Sequence, residues 1–209
     1  MQAEHWDERY AATELVWSAG PNQFVEAELA DLFPGRAVDL AGGEGRNGIW
    51  LARAGWQVTV VDFSRVGLEK GRRLAGSTEA AERIEWVCAD VTTWAPAAPV
   101  DLVVVAYLQL PVADRRAAVR NAVRMLAPGG TLLWVAHDST NLAEGTGGPQ
   151  DPAVLMTADD VIADLEGLDG VAVEVERAER VGRVVAVADE HGAEQDRTAY
   201  DCLVRLRRD

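Results

Sequence analysis

Two kinds of apolar segment alternate along this chain, and the alternation limits the folds that are open to it. Five short strand-like runs lie at 36–41, 57–62, 84–88, 100–106 and 131–137, with helix-like segments in between. Such alternation predicts a mostly parallel sheet with helices on both faces. The run at 100–106 is nearly continuous in apolar residues, as expected for a strand that is covered on both faces.

Capping and breaking residues set the bounds of the predicted helices. Ser64 and Thr157 stand where N-caps are expected, and Gly55 and the Pro128-Gly129-Gly130 run stand where helices stop. The predicted elements are helices over 46–54, from Ser64 towards Leu74, over 113–126 and over 157–165, and a Gly- and Pro-rich loop over 141–152.

The C-terminal part alternates more loosely around a polar turn. Segments 171–187 and 198–207 predict an antiparallel hairpin. With the five parallel strands, this gives a doubly wound, mostly parallel seven-stranded α/β sheet. The length of 209 residues suits one domain. We divide it into an N-terminal helical cap (1–35), a cofactor-binding core (36–138) and a substrate-side loop, helix and hairpin (139–209).

Charge and cysteine content argue against several classes of partner. The chain has 20 Lys and Arg against 34 Asp and Glu, a net charge of −14, whereas nucleic acids and anionic membranes attract basic surfaces. Cys88 and Cys202 alone supply neither a metal site nor a disulfide framework. The first ten residues lack a signal peptide's apolar run, and no segment has the ~18 apolar residues of a membrane span. We expect a cytoplasmic monomer or homodimer without a metal.

The ends of the parallel strands are where a ligand is expected in such a sheet. The first strand leads into Gly42-Gly43-Glu44-Gly45, and Arg46-Asn47-Gly48 follow. Glycines allow close backbone approach and positive φ, and the next helix presents free N–H groups. The alternative is a tight strand-to-helix turn without a ligand. The Gly43-x-Gly45-x-x-Gly48 spacing also matches the dinucleotide fingerprint in form.

Asp62 ends the second strand and follows Gly43 by 19 residues. In nucleotide-binding α/β folds a carboxylate at this place accepts hydrogen bonds from ribose hydroxyls. Capping of the next helix is the alternative. We favour ribose because the glycine turn lies one strand away, which places Phe63 against the purine or the ribose.

Two further strand ends carry weaker signals. Asp90 follows the third strand, where its carboxylate suits an exocyclic amine while Val91 packs on an aromatic base. A plain loop acid is equally consistent with Asp90. Tyr107 follows the fourth strand and either lines the pocket or belongs to the core.

Asp39 distinguishes two kinds of nucleotide. A dinucleotide would bring a pyrophosphate to the glycine turn, where this carboxylate would repel it. A phosphate-free cofactor with a positive charge near the turn would be attracted instead. S-adenosylmethionine has this character, because it joins adenine and ribose to a sulfonium and an ammonium-bearing tail.

Four segments resemble the motifs of class I S-adenosylmethionine-dependent methyltransferases: VDLAGGEGRNGIWLARAG, VTVVDFS, CADV and LAPGGTLLWVAHD. The N-terminal block WDERY…VWSAGPNQFVEAEL resembles the branch that includes tellurite-resistance and thiopurine methyltransferases, whose leading segment closes over the cofactor. The resemblance runs over essentially the whole chain.

The resemblance implies cofactor contacts from four strand ends and from the N-terminal block. The methionine moiety would be surrounded by Asp39, Ala41 and Gly43, the ribose held by Asp62, the adenine surrounded by Phe63, Asp90 and Val91, and the sulfonium placed above Ala106 or Tyr107. The full predicted cofactor set is Trp6, Tyr10, Trp17, Asp39, Ala41, Gly42, Gly43, Asn47, Asp62, Phe63, Ser64, Asp90, Val91, Ala106 and Tyr107.

Several members of this set keep alternatives. The aromatic residues of the N-terminal block, together with Asn22, either cover the site as a lid or anchor the first helix to the sheet. Asn47 either holds the amino-acid tail or caps its helix. Ala41 replaces the first glycine of the family pattern. Because alanine restricts positive φ, the turn geometry there stays open, and we expect binding to persist.

His137 is the predicted general base. Methyl transfer from a sulfonium requires in-line geometry, and acceptors such as phenols or amines also lose a proton. His137 ends the fifth strand, although a polar strand terminus is the favoured alternative. Arg180, Arg183 and His191 are candidates to meet an anionic substrate, with surface solvation as the favoured interpretation.

A small molecule with an S, Se/Te, O or N nucleophile is the expected acceptor. No Asn-Pro-Pro-Tyr or Asp-Pro-Pro-Tyr follows the fourth strand, and the chain has neither a Pro-Cys nucleophile nor a basic stripe. We therefore expect no nucleic-acid substrate. Two alternatives stay open. One is an NAD(P)-dependent oxidoreductase, which would lack a Tyr-x-x-x-Lys pair because Lys70 is the only lysine. The other is a non-enzymatic S-adenosylmethionine-binding protein.

Overall fold

A single mixed sheet frames the protein. The computed structural model describes residues 3–13, 20–76, 78–188 and 194–209. Within these residues the strands are Arg36–Leu40 (β1), Gln57–Asp62 (β2), Ile84–Cys88 (β3), Val100–Ala106 (β4), Leu126–His137 (β5), Val173–Ala188 (β6) and Glu194–Arg208 (β7).

The strand order is β3-β2-β1-β4-β5-β7-β6. Strands β1 to β5 are parallel, and β7 runs antiparallel between β5 and β6. This order confirms the predicted doubly wound, mostly parallel α/β sheet with a C-terminal antiparallel hairpin. The order in which successive strands are added to the sheet reverses between β1 and β4. Ligands of such folds bind beside that switch point.

Most strand bounds agree with the sequence patterns. The predicted bounds of β2, β3 and β4 are those of the structure. Strand β1 ends one residue early, at Leu40. Strand β5 begins at Leu126 rather than at Thr131, because Leu126 already pairs with Val100 ahead of a shift in register.

Helices flank both faces of the sheet. They are Ala3–Ala11 (α1), Gln23–Leu29 (α2), Arg46–Arg53 (α3), Arg65–Ala75 (α4), Val112–Met125 (α5), Asn141–Glu144 (α6) and Ala158–Ala163 (α7), with 3-10 turns at Ala81–Arg83 and Pro152–Val154. The Ser64 side chain accepts from the Gly67 N–H and Thr157 forms a capping box with Asp160, so both predicted N-caps are confirmed. Within the described residues no helix is long and apolar enough to cross a membrane.

Two hydrophobic cores lie on opposite faces of the sheet. Successive side chains of a strand point to opposite faces. Accordingly Val103 and Leu132 pack with α5 and α7 on one face, and Val104 and Leu133 pack with α2 and α3 on the other. Burial on both faces explains why the central strands are continuous in apolar residues.

A buried ion pair joins α5 to the end of α7. Asp164 is 1% exposed and faces the Nε of Arg115 at 2.6 Å and that of Arg116 at 3.2 Å. Both partners belong to α5. The ion pair joins α5 and α7, which cover the face of the sheet opposite to α2 and α3.

The predicted loop over 141–152 is wrong in its first turn, where α6 forms. Asn141 bonds both backbone groups of Tyr200, its Nδ2 donating to the carbonyl at 2.6 Å and its Oδ1 accepting from the N–H at 2.7 Å. Asp138 accepts from the backbone N–H and the hydroxyl of Thr140. The long-range bonds of Asn141 to Tyr200 and the local bonds of Asp138 to Thr140 together order the turn.

Strand β1 leaves the sheet through a left-handed turn. Ala41 has φ 59°, and Gly43 and Gly45 follow with φ 55° and 72°. Glycine adopts such angles without steric cost, whereas alanine loses roughly 1–2 kcal/mol to the contact between its Cβ and the backbone. The alanine therefore keeps the geometry expected of a glycine and stores strain at the mouth of the turn.

Replacing Ala41 by glycine should relieve this strain. We expect Ala41→Gly to raise the free energy of unfolding by about 1 kcal/mol, measured by urea denaturation. Ala117→Gly, at an exposed position inside α5, is the matched control and should lower it by about 1 kcal/mol. Equal losses in both variants would show that residue 41 is not strained.

Candidate functional site

Three adjoining cavities lie along the C-terminal edge of the parallel strands. The central cavity, about 50 Å³, is lined by Trp6, Tyr10, Ala41, Gly42, Arg46, Asn47, Asp62, Phe63, Ala106, Tyr107, Leu108 and Gln109. The Asp90 cavity, about 230 Å³, is lined by Ala41, Phe63, Asp90, Val91, Thr92, Leu108, Leu110 and Asp114. The His137 cavity, about 280 Å³, is lined by Pro21, Asn22, Gln23, Arg46, Tyr107, His137 and Arg183.

Shared walls connect the three spaces. Ala41, Phe63 and Leu108 border both the central and the Asp90 cavity. Arg46 and Tyr107 border both the central and the His137 cavity. The central cavity is narrow, since a ligand pocket usually has roughly 300–1,000 Å³. A ligand that spans the row must therefore displace side chains of the central part.

Asp62 links the glycine turn to the end of β2. Its Oδ2 accepts from the Gly43 N–H at 2.9 Å and its Oδ1 from the Ser64 N–H at 2.8 Å. Burial raises the pKa of this carboxyl to about 6, against the lowering effect of those two bonds. Each carboxylate oxygen has a second lone pair, and Asp62 lines the central cavity. It can therefore accept ligand hydroxyls while it holds the turn.

Asp39 lies behind the same turn, outside the cavity walls. Its Oδ2 accepts from the Gly48 N–H at 2.8 Å, while its Oδ1 is buried with no hydrogen-bond partner among the described residues. Burial raises the pKa of Asp39 to about 7, although the Gly48 bond and the charge of Arg46 lower it. A carboxylate in this position is stabilised by a cation near the turn.

Close packing explains the glycines of the turn. A side chain at Gly42 would meet Asp39 and Val60, and one at Gly43 would overlap the Tyr10 hydroxyl. A side chain at Gly48 would meet Val60 as well. Glycine is therefore needed at these three positions between β2 and the N-terminal helix.

Helix α1 covers the turn and is tied down by Lys70 on α4. The ammonium of Lys70 donates to the carbonyls of Tyr10 and Thr13 at 2.8 and 2.7 Å and pairs with Glu44 at 2.7 Å. Trp6 and Tyr10, with ring centroids 5.6 Å apart, line the central cavity. The helix is thus both anchored to α4 and part of the cavity wall.

Tyr107 separates the central cavity from the His137 cavity. Its backbone has a positive φ of 63° just after β4. Its hydroxyl donates to Asp201 Oδ2 at 2.9 Å and accepts from the Nδ2 of Asn22 at 3.1 Å. Burial and the neighbouring carboxylate raise the pKa of this phenol. The ring is therefore a fixed, neutral partition.

A buried carboxylate supports His137. Asp201 is 0% exposed on β7, directly opposite His137 on β5. Its Oδ1 lies 3.3 Å from the Nδ1 of His137, and neither atom forms a hydrogen bond among the described residues. The nearby carboxylate favours the tautomer that carries its proton on Nδ1, which leaves Nε2 to accept a proton. The imidazole also stacks on Tyr107, with ring centroids 4.6 Å apart.

Two arginines border the His137 cavity. Arg183 donates from its Nε to Asp201 Oδ2 at 2.7 Å. The guanidinium carbons of Arg183 and Arg46 lie 5.8 and 5.9 Å from the Tyr107 ring centroid. Burial lowers the pKa of Arg46, and the charge of Arg183 acts in the same direction. The cavity wall thus concentrates positive charge.

The structure gathers most of the predicted cofactor residues at this edge of the sheet. Three of them line none of the three cavities: Asp39, Gly43 and Ser64. Asn47 lines the central cavity and its Oδ1 accepts from the Asn22 N–H at 2.9 Å, so it joins α3 to the start of α2. Trp17, like His191, lies outside the described residues.

Some residues of the site carried little or no signal in the sequence. Asp201 was not predicted, because only the pairing of β7 with β5 brings it to His137. Arg183 is one of the residues predicted either to meet an anionic substrate or, as the favoured interpretation, to be solvated at the surface; the structure places it in the wall of the His137 cavity. Arg180 instead pairs with Glu144 at 2.7 Å on the exposed face of β6. Arg46 could have been singled out from its place in the Gly45-Arg46-Asn47 sequence that follows the turn.

Comparison with known proteins gives a family match and relatives for part of the chain. Residues 37–130 match the family described as a methyltransferase domain. The tRNA 5-carboxymethoxyuridine methyltransferase of Escherichia coli K12 is 29% identical over 125 residues, which covers 57% of this chain and 48% of that protein. The chain therefore spans about half the length of this relative.

Two solved structures match nearly the whole chain. The N-methyltransferase NodS from Bradyrhizobium japonicum WM9, in complex with S-adenosyl-L-homocysteine, has a TM-score of 0.67 at 22% identity, covering 99% of this chain and 98% of that one. TehB from Haemophilus influenzae has a TM-score of 0.67 at 17% identity, covering 97% and 66%. Matches at this identity show a shared fold.

The raised pKa of Asp39 predicts a pH dependence of stability. The folded carboxyl keeps its proton up to about pH 7, whereas its ordinary pKa is 3.8. The folded state thus binds more protons between these values, and stability is lost as the pH rises through that window. Relative to Asp39→Asn, which does not titrate, the native protein should lose about 1.4 kcal/mol per pH unit between about pH 4.5 and 6.5.

Urea denaturation without ligand at several pH values measures this difference. Asp31→Asn, at an exposed site, controls for the removal of one negative charge. A difference between the native protein and Asp39→Asn that stays constant with pH would contradict the raised pKa.

Proposed function

We propose that this chain is a class I S-adenosylmethionine-dependent methyltransferase that transfers the cofactor's methyl group to a small-molecule acceptor in the His137 cavity. The match of residues 37–130 to a methyltransferase domain supports this proposal. One observation carries the proposal. The three cavities form a row in which Tyr107 separates an acidic glycine turn from a histidine backed by a buried carboxylate.

The residues at the turn suit this cofactor. The Oδ1 of Asp39 is buried without a partner, so an ammonium or sulfonium nearby would offset a charge that burial destabilises. A pyrophosphate would meet both this carboxylate and Asp62, which repel it. We assign the ribose to Asp62, the adenine to the Asp90 cavity beside Phe63, and the methionine moiety to the turn itself.

The chemistry requires placement more than proton transfer. When bound, S-adenosylmethionine supplies a methyl group whose bonding pair to sulfur stays on sulfur while an acceptor lone pair forms the new bond. Trp6, Tyr10 and Leu108 line the central cavity, and we assign their apolar surfaces to the exclusion of water. Tyr107, held by Asp201 and Asn22, fixes the boundary at which acceptor and cofactor meet. Such orientation supplies up to about 7–11 kcal/mol of barrier lowering.

His137 is the group that we assign to proton removal. It lines the acceptor side, and its Nδ1 faces Asp201 Oδ1 at 3.3 Å. That contact holds the imidazole with Nε2 as the acceptor of a proton and stabilises the imidazolium that forms. A thiolate or another acceptor that is already anionic does not need this step.

The acceptor is proposed to be small because the His137 cavity holds about 280 Å³. The expectation that excludes nucleic acid lacks support from the comparisons, since one relative is a tRNA methyltransferase. Against a tRNA acceptor stands the net charge of −14, because phosphate backbones bind basic surfaces. An RNA substrate is therefore an arm of the test below.

Binding of the cofactor product tests the cofactor half of the proposal. We expect Asp62→Ala to weaken S-adenosylhomocysteine binding at least about tenfold in calorimetry, because a ribose acceptor and the bond to Gly43 are lost. Asp101→Ala is a matched control, since Asp101 also accepts a backbone N–H, from Arg36 at 2.8 Å, beside the opposite ends of the strands. Unchanged affinity in folded Asp62→Ala, or binding of NADH in place of the nucleoside, would contradict the assignment.

Transfer of labelled methyl groups tests the acceptor half. Thiols, phenols, amines, selenite, tellurite and bulk tRNA are incubated separately with the protein and S-adenosylmethionine. We expect small molecules to be labelled and tRNA to stay unlabelled. Labelling of tRNA alone would overturn the small-molecule assignment, and tight cofactor binding without any product would favour a non-enzymatic binder.

The same assay examines His137. We expect His137→Gln to lower the rate with phenols by about 100-fold or more and the rate with thiols much less, because general-base catalysis contributes roughly 100- to 10,000-fold. An equal loss with both classes would assign His137 a structural role.

A further inference from the structure

The walls of the His137 cavity are cationic although the protein is acidic. Arg46 and Arg183 line it together with His137, and no described lining residue is Asp or Glu. The whole chain has a net charge of −14. The local excess of positive charge is thus opposite in sign to the surface average.

Arg183 is placed by buried partners and keeps donors for a ligand. Its Nε is bonded to Asp201 at 2.7 Å, and Asp201 also accepts from Tyr107. A guanidinium has five N–H donors, and the bonds to Asp201 and Tyr107 do not use all of them. The side chain is 21% exposed, which suits a residue that faces a cavity.

The two guanidiniums lie on one aromatic ring at comparable distance. Their carbons are 5.8 and 5.9 Å from the Tyr107 centroid. Asp201 is the carboxylate that holds Arg183, and it is shared with His137 and Tyr107. Asp39, whose field reaches Arg46, lies behind the glycine turn and does not line the cavity. The described wall of the cavity therefore presents two guanidiniums and no carboxylate to a ligand.

We propose that the methyl acceptor carries a carboxylate or a comparable oxyanion, bound by Arg183 and Arg46 in the His137 cavity. This inference rests on the proposed function. An oxyanion accepts paired N–H donors from guanidinium groups with matching geometry. It also reduces the repulsion between the two arginines, whereas an ammonium-bearing acceptor would add to it. The volume of about 280 Å³ fits a small acid.

Matched acids and amides test the proposal. The probes are 2-mercaptobenzoate with 2-mercaptobenzamide, and 4-hydroxybenzoate with 4-hydroxybenzamide, which differ in the anionic group alone. Two quantities are measured: calorimetric affinity for the protein saturated with S-adenosylhomocysteine, and kcat/KM with S-adenosylmethionine. We expect the native protein to prefer each acid at least about tenfold in both quantities, since a hydrogen bond to a charged group is worth about that much.

Variants of Arg183 give the second arm. Arg183→Gln should remove most of the acid preference, and Arg183→Lys should retain part of it because the charge is kept. The acid-to-amide ratio within one variant does not depend on the fraction of protein that is folded. Arg180→Gln is the control on the same strand, since Arg180 pairs with Glu144 outside the cavity, and it should leave the ratio unchanged.

Each outcome of these experiments supports or contradicts the proposal. Equal binding of acids and amides to the native protein, no binding of either acid at millimolar concentration, or an unchanged ratio in Arg183→Gln would overturn the proposal. Acid binding that depends on Arg183 without methylation of any probe would support the anion site and contradict the proposed function. Methylation of the probes without a preference for the acids would support the proposed function and contradict the anion site.

Discussion

The His137 cavity depends on one buried group, the carboxylate of Asp201. It is 0% exposed, and its two oxygens face groups from three other places in the fold: Tyr107 after β4, His137 on β5 and Arg183 on β6. A buried charge of this kind is stable only while its partners stay in position. The phenol, the imidazole and the guanidinium are therefore fixed relative to one another by a single residue of the last strand.

Backbone strain marks the two strands that flank the switch point of the sheet. Ala41 and Tyr107 are the non-glycine residues with positive φ within the described part of the chain, and they directly follow β1 and β4. Such conformations persist only where surrounding contacts impose them. The Asp62 bond to Gly43 does so on one side, and the hydroxyl bonds of Tyr107 do so on the other. Both strained residues line the central cavity.

What the sequence could predict followed from local patterns. The bounds of β2 to β4, the N-caps and the hairpin come from periodicity and turn chemistry, and Asp62 is found from its place at a strand end. Asp201 could not be found in this way, because its partners depend on β7 inserting between β5 and β6. The favoured interpretation of Arg183 as a solvated surface residue has the same origin. The loose alternation of the hairpin sequence does not show which of its side chains face a cavity. The α6 turn likewise depends on bonds between Asn141 and distant Tyr200.

The site is polarised along the row of cavities. Carboxylates of Asp39 and Asp62 lie on the side of the glycine turn, and the guanidinium of Arg183 lies beyond the Tyr107 ring. The net charge of the chain does not reveal this arrangement, because it sums all charges regardless of position. A ligand in the cavities is affected mainly by the partly buried charges around it, which salt screens much less than exposed charges more than about 8 Å away. A cationic donor and an anionic acceptor would each meet their complement and be drawn to opposite sides of one ring. An acceptor whose oxyanion is not the methylated atom would keep its contact with Arg183 throughout the transfer. A neutral nitrogen that gains a positive charge on methylation would instead be repelled by the arginines.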